Sequence, residues 1–150
     1  MAVNDNQTFE ALTFALGGEI FAINANLVRE ILDMIPQTEV PGSRPFVGGL
    51  INVRGKVVPL ADLRIKFDMK QTPPTIDSRI VVVEIPLDGE PTMVGLLTDK
   101  VYEVTEIGGA SIEDTPDIGM RWRPDFIKGI GKRRDEFIVI PNIERIFTSE

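Results

Sequence analysis

Short apolar segments separated by tight glycine turns constrain the fold of this chain more than any other feature. The dipeptides Gly17-Gly18, Arg54-Gly55 and Asp88-Gly89 each lie between two apolar or alternating runs. Glycine in such a dipeptide supplies the positive φ that a two-residue hairpin turn requires, so each one predicts a β-hairpin. The sequence therefore predicts a mainly β fold of short strands with brief helical turns.

The remaining segments follow the same pattern. Period-two alternation or short apolar runs predict further strands at 28–31, 101–107, 129–131 and 136–140. Capping residues or amphipathic spacing predict helical turns at 24–27, 61–67 and 141–147. Polar segments rich in Pro and Gly predict loops at 36–45, 70–77 and 108–125, and 70–77, which contains Pro73-Pro74, is the best internal boundary.

The chain also contains a weak internal repeat. Residues 21–31 align with 94–104, and residues 47–63 align without gaps with 127–143. A repeat of this kind predicts two similar β-units, each too small to bury its own sheet face well, packed against each other. Chains with many short strands usually close their sheets into barrels, because closure removes exposed edges.

Composition excludes several kinds of chemistry. The chain has neither Cys nor His, which removes zinc-thiolate sites, Ser-His-Asp triads and Cys-His dyads. A net charge of −7 argues against duplex nucleic acid as a partner and against a polybasic membrane anchor. Residues 1–8 lack the apolar core of a signal peptide, and the apolar run Ile80 to Val83 is too short to span a bilayer. We therefore expect a cytosolic, non-enzymatic protein without metal or cofactor.

Two other function classes fit the composition poorly. An oligosaccharide- or single-stranded nucleic-acid-binding β-barrel needs aromatic stacking platforms and a basic groove, whereas this chain has one Trp and one Tyr. A hydrolase using carboxylates and magnesium would draw on residues such as Glu84, Asp88 and Glu90, which are better interpreted as solvated surface. The segment Gly49 to Lys56 fails as a phosphate-binding loop because five residues separate its glycines and Val57 replaces Ser or Thr.

One stretch near the carboxyl end is strongly basic. Six basic residues fall within fourteen positions: Arg121, Arg123, Lys128, Lys132, Arg133 and Arg134. They form either a solvated loop or a patch that faces an acidic partner protein and speeds its association. Trp122, which lies among them, is either an interface anchor or a lid over the core.

The segment Gly48 to Arg64, together with Val28-Arg29-Glu30-Ile31, resembles the CheW family of chemotaxis coupling proteins. The most specific part reads hydrophobic-Gly-hydrophobic-x-Asn-x-Arg-Gly-x-x-hydrophobic-Pro-hydrophobic-x-Asp-Leu, and Asn142-Ile143-Glu144 is similar to the closing motif of the family. The resemblance covers about residues 9–147. Val53 stands where Leu is commoner in the motif, which is a tolerable apolar exchange.

The resemblance implies two SH3-like five-stranded β-barrels packed about a shared hydrophobic core. It implies one domain over 9–147, in which about 9–69 interleaves with 79–147 as two subdomains, after a flexible amino terminus at 1–8. It further implies an adaptor that joins the histidine kinase CheA to chemoreceptor tips in membrane-associated arrays and is monomeric in isolation. In this family the receptor tip lies in an apolar groove between the barrels, and the CheW-like regulatory domain of the kinase binds barrel ends.

Nine partner-binding residues carry over from the family. The groove-side positions are Val28, Glu30, Ile31, Val101 and Val104; Arg54 falls on the motif arginine; and Gly49, Gly55 and Gly95 fall on turn and close-packing glycines. Without the resemblance, Glu30 is an outward-facing strand residue and Arg54 a solvated turn residue. With it, Glu30 is expected to set polarity at the groove rim, and Arg54 offers a planar fork of donors to a partner oxygen.

Overall fold

A computed structural model of the 150-residue chain describes residues 8–42, 45–108, 112–113, 124–133 and 136–148. These residues form twelve β-strands: β1 (Thr8–Leu16), β2 (Glu19–Asn24), β3 (Val28–Asp33), β4 (Thr38–Glu39), β5 (Gly49–Val53), β6 (Lys56–Ala61), β7 (Arg79–Leu87), β8 (Glu90–Thr98), β9 (Lys100–Gly108), β10 (Ile112–Glu113), β11 (Ile127–Arg133) and β12 (Glu136–Pro141). They also form two short helices, α1 (Leu63–Lys66) and α2 (Ile143–Thr148), and 3-10 turns at Ala25–Leu27, Pro45–Val47 and Pro124–Phe126. No helix in the described part of the chain is long and apolar enough to cross a membrane.

All three predicted hairpins are confirmed. β1 pairs with β2, β5 with β6 and β7 with β8, each antiparallel around its two-residue turn. Arg54 and Gly55 have φ of 53° and 84°, and the other two turns also have positive φ at both central residues. This left-handed pair is the turn whose twist matches that of the flanking strands, which explains the glycine in each dipeptide.

The strands form two six-stranded sheets. The order is β10-β11-β12-β2-β1-β9 in one, hereafter the terminal sheet, and β3-β7-β8-β6-β5-β4 in the other, hereafter the central sheet. The predicted mainly β architecture is confirmed, with six rather than five strands in each sheet. The sixth strand is the two-residue β4 or β10, which lies in a segment whose polar composition predicts a loop.

The two sheets have equivalent layouts that match the internal repeat. Replacing β3, β7, β8, β6, β5 and β4 by β9, β1, β2, β12, β11 and β10 converts the strand order of one sheet into that of the other. The central sheet therefore combines β3–β6 of the first repeat with the hairpin β7–β8 of the second. The terminal sheet combines the hairpin β1–β2 of the first repeat with β9–β12 of the second. The central sheet is one continuous segment, 28–98, so the linker 70–77 joins two parts of the same sheet.

The described residues contain three apolar clusters. The largest, hereafter the shared core, takes residues from both sheets and both helices, including Phe14, Phe21, Phe67, Val83, Leu96 and Ile146. A second cluster around Ile51, Ile80 and Val82 lies within the central sheet, and a smaller one around Ala11 and Ile138 lies within the terminal sheet. The sheets are thus joined by apolar burial, the dominant favourable term in folding.

A β-bulge interrupts the alternation predicted at 28–31. Val28 lies opposite Val83 and Glu30 lies opposite Val82, so Arg29 is an extra residue in β3. An equivalent shift occurs in β9, where Leu12 and Phe14 of β1 lie opposite Val104 and Val101. One extra residue changes which face the following side chains occupy, so residues three apart come to share a face.

The helix ends follow from their capping residues. The Asp62 side chain accepts a hydrogen bond from Arg64 N and caps the start of α1. The Asn142 side chain accepts one from Arg145 N at the start of α2. The prediction that Pro141 belongs to the last helical turn is wrong: Pro141 ends β12, and the helix begins at Ile143. Most of the predicted loop 108–125 and the predicted flexible amino terminus lie outside the described residues.

Candidate docking surfaces

Four branched apolar residues line the margin of the shared core. Val28 and Val101 are half-buried and pack against that core, while Ile31 and Val104 are 45% and 50% exposed. Their cross-strand partners Val83, Val81, Phe14 and Leu12 all belong to the shared core, so all four face the other sheet. We call Val28, Ile31, Val101 and Val104 the apolar strip.

The bulges in β3 and β9 create this strip. Without an extra residue in each strand, Val28 and Ile31 would point to opposite faces, as would Val101 and Val104. β3 and β9 are the end strands of their sheets, so the strip lies at two sheet edges. The space behind it is filled by the protein's own side chains, and only its outer margin is open to a partner.

Glu30 lies on the other face of β3. Its cross-strand partner Val82 belongs to the apolar cluster of the central sheet, so the Glu30 side chain points away from the strip. There Arg54 Nη2 donates to Glu30 Oε1 at 2.9 Å, across the tip of the β5–β6 hairpin. The Glu30 side chain is 24% exposed and the Arg54 side chain 81% exposed, so the remaining guanidinium donors face solvent. The structure therefore joins two predicted site residues, Glu30 and Arg54, to each other and places them away from the four residues of the apolar strip.

Two ion pairs connect β3 to β7. Arg29 Nη2 lies 3.6 Å from Glu84 Oε2, and Arg79 Nε lies 3.3 Å from Asp33 Oδ1. Asp33 and Arg79 lie two residues from Ile31 and from its partner Val81, so this pair shares the face of Ile31. Glu84 follows Val83 directly and therefore lies on the opposite face of β7, with Val82. The exposed Ile31 therefore has one ion pair, Asp33–Arg79, beside it on the same face, as at the polar rim of a protein interface. Of these four charged residues, only Glu84 is interpreted from the sequence, as solvated surface.

Each of the three predicted glycines has a structural reason to be glycine or small. A Cβ on Gly95 would lie 3.2 to 3.4 Å from side-chain atoms of Ile80, Ile51 and Leu60, so the backbone there is closely packed. A Cβ on Gly49 would meet the flexible side chain of Gln37. Gly55 meets nothing, but its positive φ favours glycine in the turn that presents Arg54.

A buried arginine was missed by the sequence analysis. Arg64 is 4% exposed, and its Nε and Nη2 donate to the two carboxylate oxygens of Asp62 at 2.9 Å. Its Nη1 donates to Thr72 O at 3.1 Å and lies 3.8 Å from Asp99 Oδ1. The hydrogen bonds that Arg64 donates to Asp62 raise the pKa of the Arg64 guanidinium against the opposing effect of burial. Within the described residues no three carboxylates converge as a metal site would require.

The predicted basic patch falls mostly outside the described residues. Trp122, Arg121, Arg123 and Arg134 lie there, as do the side chains of Lys132 and Arg133. Lys128 is described and is exposed on β11. The alternatives for this stretch stay as the sequence left them.

The chain is similar to proteins of one family along nearly its whole length. A family model described as a CheW-like domain matches residues 10–150. "Chemotaxis protein CheW" of Rhizobium meliloti is 31% identical over 141 residues, which cover 94% of this chain and 88% of that protein. "Chemotaxis protein CheW" of Klebsiella aerogenes is 30% identical over 141 residues, which cover 94% and 82%.

A solved structure agrees with these relatives. The crystal structure of scaffolding protein TtCheW from Thermoanaerobacter tengcongensis superposes with a TM-score of 0.84 at 30% identity, covering 96% of this chain and 90% of that one. The two sheets are therefore SH3-like, as expected for such a scaffold. This chain belongs to the CheW family of chemotaxis scaffolding proteins, which are adaptors and not enzymes.

Proposed function

We propose that this adaptor couples the cytoplasmic tips of chemoreceptors to the histidine kinase CheA in membrane-associated arrays. The observation that carries the proposal is the apolar strip, because it is an open apolar margin on two equivalent sheet edges with a charged border. Family membership supports a chemotaxis scaffold, and the strip suggests how the scaffold holds one of its partners.

The apolar strip is the proposed receptor surface. A receptor tip is helical, and an amphipathic helix presents apolar side chains at spacings of three and four residues. Ile31 and Val104 supply exposed branched side chains for such a face, while Val28 and Val101 form a floor continuous with the shared core. The pair Asp33–Arg79 would then meet a polar flank of the helix and help set its register.

The β5–β6 hairpin tip is the proposed kinase surface. Arg54 is held by Glu30 in a turn closed by the hydrogen bond from Gly55 N to Asn52 Oδ1 at 2.8 Å. A guanidinium positioned in this way can donate two parallel hydrogen bonds to a carboxylate or carbonyl group of the regulatory domain. Glu30 would then act by orienting Arg54 instead of touching the receptor.

Co-sedimentation with a receptor-tip fragment and with the kinase regulatory domain tests both surfaces. Ile31→Ser and Val104→Ser should weaken receptor binding, and Glu30→Lys and Arg54→Ala should weaken kinase binding. Each should leave thermal unfolding nearly unchanged, because exposed side chains and exposed ion pairs contribute less than about 1 kcal/mol. Ile76→Ser is the matched control, since Ile76 is 91% exposed on the linker and belongs to neither surface. Wild-type binding to both partners by all four variants would contradict the assignment.

A further inference from the structure

Asp99 alone connects the two sheets at one of their two crossovers. β8 of the central sheet ends at Thr98, and β9 of the terminal sheet begins at Lys100. The backbone N–H of Asp99 donates to Ala15 O of β1 at 2.9 Å. β9, which carries Val101 and Val104, therefore enters the terminal sheet at Asp99 and pairs along its length with β1.

The Asp99 carboxylate joins parts of the molecule that belong to different sheets. Its Oδ2 accepts from Gly17 N at 2.9 Å, in the β1–β2 turn of the terminal sheet. Its Oδ1 lies 3.8 Å from Nη1 of the buried Arg64, which follows β6 of the central sheet. A Cβ on Gly17 would also clash with the side chain of Met69, just beyond α1, so the two regions pack tightly here.

The equivalent crossover is built differently. The alignment of 21–31 with 94–104 places Asn26 over Asp99, within the three-residue 3-10 turn that joins β2 to β3. Asn26 N donates to the Asn24 side chain at 2.9 Å, and Asn26 O accepts from the exposed Arg29 at 2.7 Å. Bonds at this corner are local in sequence, whereas Asp99 bonds residues 82 positions away. Of the two equivalent crossovers, the one at Asn26 therefore has hydrogen bonds between neighbouring residues, and the one at Asp99 has a hydrogen bond and an ion pair to residues distant in sequence.

We infer that Asp99 is a positioning residue for the apolar strip, holding β9 in register with the central sheet through Arg64 and the β1–β2 turn. The expected effect on receptor binding rests on the proposed receptor function, whereas the positioning of β9 by Asp99 does not. Asp99→Asn is the informative variant, because an amide oxygen can still accept from Gly17 N while the charge opposite Arg64 is lost.

Spin-label distances test the geometry without any partner. The chain has no cysteine, so Lys56→Cys on β6 and Glu106→Cys on β9 give two exposed and unique labelling sites, one on each sheet. We expect a narrow distance distribution in the doubly labelled parent chain and a broader or shifted one with Asp99→Asn. Asp125→Asn is the matched control. It also removes a carboxylate from an ion pair, but its partner Arg145, at 3.4 Å, belongs to the same repeat. An unchanged distribution with Asp99→Asn overturns the inference.

Receptor-tip binding tests the consequence. Asp99→Asn should weaken binding of the receptor-tip fragment by about two- to thirtyfold, the range for residues that act through a coupled element. Kinase-domain binding at Arg54 should keep its wild-type affinity, and Asp99→Glu, which keeps the charge, should recover part of the loss. Broadened distances with unchanged receptor affinity would overturn the link to the strip. A wild-type chain that binds no receptor-tip fragment overturns the proposed function instead, and the label distances still decide whether Asp99 holds β9.

Discussion

At the scale of single residues, the number of polar partners separates a buried arginine from an exposed one. Arg64 is buried and tolerates burial because five hydrogen bonds or ion contacts reach Asp62, Thr72 and Asp99. Arg54 has one charged partner and mostly faces solvent. The same residue type therefore stabilises the fold in one place and offers a contact in the other.

Removing the buried guanidinium should be costly. Arg64→Met should lower the free energy of unfolding by about 3 kcal/mol, because the carboxylate of Asp62 is left without its partner. Arg79→Met, in the exposed pair with Asp33, should cost less than about 1 kcal/mol and serves as the control. Chemical denaturation of both variants measures the difference, and equal losses would contradict the role assigned to Arg64.

The pH dependence of that difference has a definite sign. Because the pKa of Arg64 is raised on folding, its contribution is fully present below the pKa of the unfolded guanidinium and is lost only as the pH rises through the folded pKa. Both values lie far above neutrality. The gap between the wild-type chain and Arg64→Met should therefore stay constant from about pH 6 to pH 9.

The residue-scale site was only partly predictable from the sequence. The motif marked Glu30 and Arg54, but the two residues are 24 positions apart, and their contact depends on how the β5–β6 hairpin lies over β3. Arg64 lies in a stretch of mixed charge that resembles any exposed amphipathic turn. Burial of a charge is decided by distant partners such as Asp99, and no local pattern encodes those partners.

At the scale of elements, the bulge in β3 decides which side chains form a surface. Its extra residue, Arg29, sets Val28 and Ile31 on one face and Glu30 on the other. The sequence predicted a regular alternation here, because a bulge of ordinary residues leaves the local pattern almost unchanged. The turns were predictable for the opposite reason, since positive φ restricts residue type strongly.

Deleting Arg29 should therefore disrupt the strip without deleting any of its members. A strand shortened by one residue must shift its register, which turns either Val28 or Ile31 to the opposite face. We expect receptor-tip binding to be lost, together with some stability. Arg29→Ala is the control, because it removes the same ion pair with Glu84 and keeps the extra residue. If the deletion and the substitution had equal effects in titration against the receptor-tip fragment, the bulge would not control the surface.

At the scale of the whole molecule, the two sheets share their largest core. Val83 and Leu96 of the central sheet pack in the same cluster as Phe14 and Phe21 of the terminal sheet. Neither sheet can separate from the other without exposing this surface to water, and burial of apolar area is worth about 25 cal/mol per Å². The repeat in the sequence predicted two packed β-units, but not that each would contain strands of both repeats, since pairing partners depend on topology.

The chain should consequently unfold as one cooperative unit. Far-UV circular dichroism and differential scanning calorimetry should report the same midpoint, with a calorimetric enthalpy equal to the van't Hoff enthalpy. A segment covering only 28–98 has all six strands of the central sheet, yet it should fail to show this transition, because its half of the shared core would be exposed. Two resolved transitions in the full chain would contradict this prediction.

The exchange of hairpins between the repeats bears on how such a chain could have arisen. A polypeptide with one repeat would carry one hairpin and four further strands, and two identical copies would exchange their hairpins so that each completes the sheet of the other. The pair would be a two-fold symmetric assembly with the strand orders observed here. Gene duplication and fusion would then convert that assembly into a single chain whose halves mutate separately. Asp99 and Asn26, at matching corners, are the kind of divergence that such a history permits.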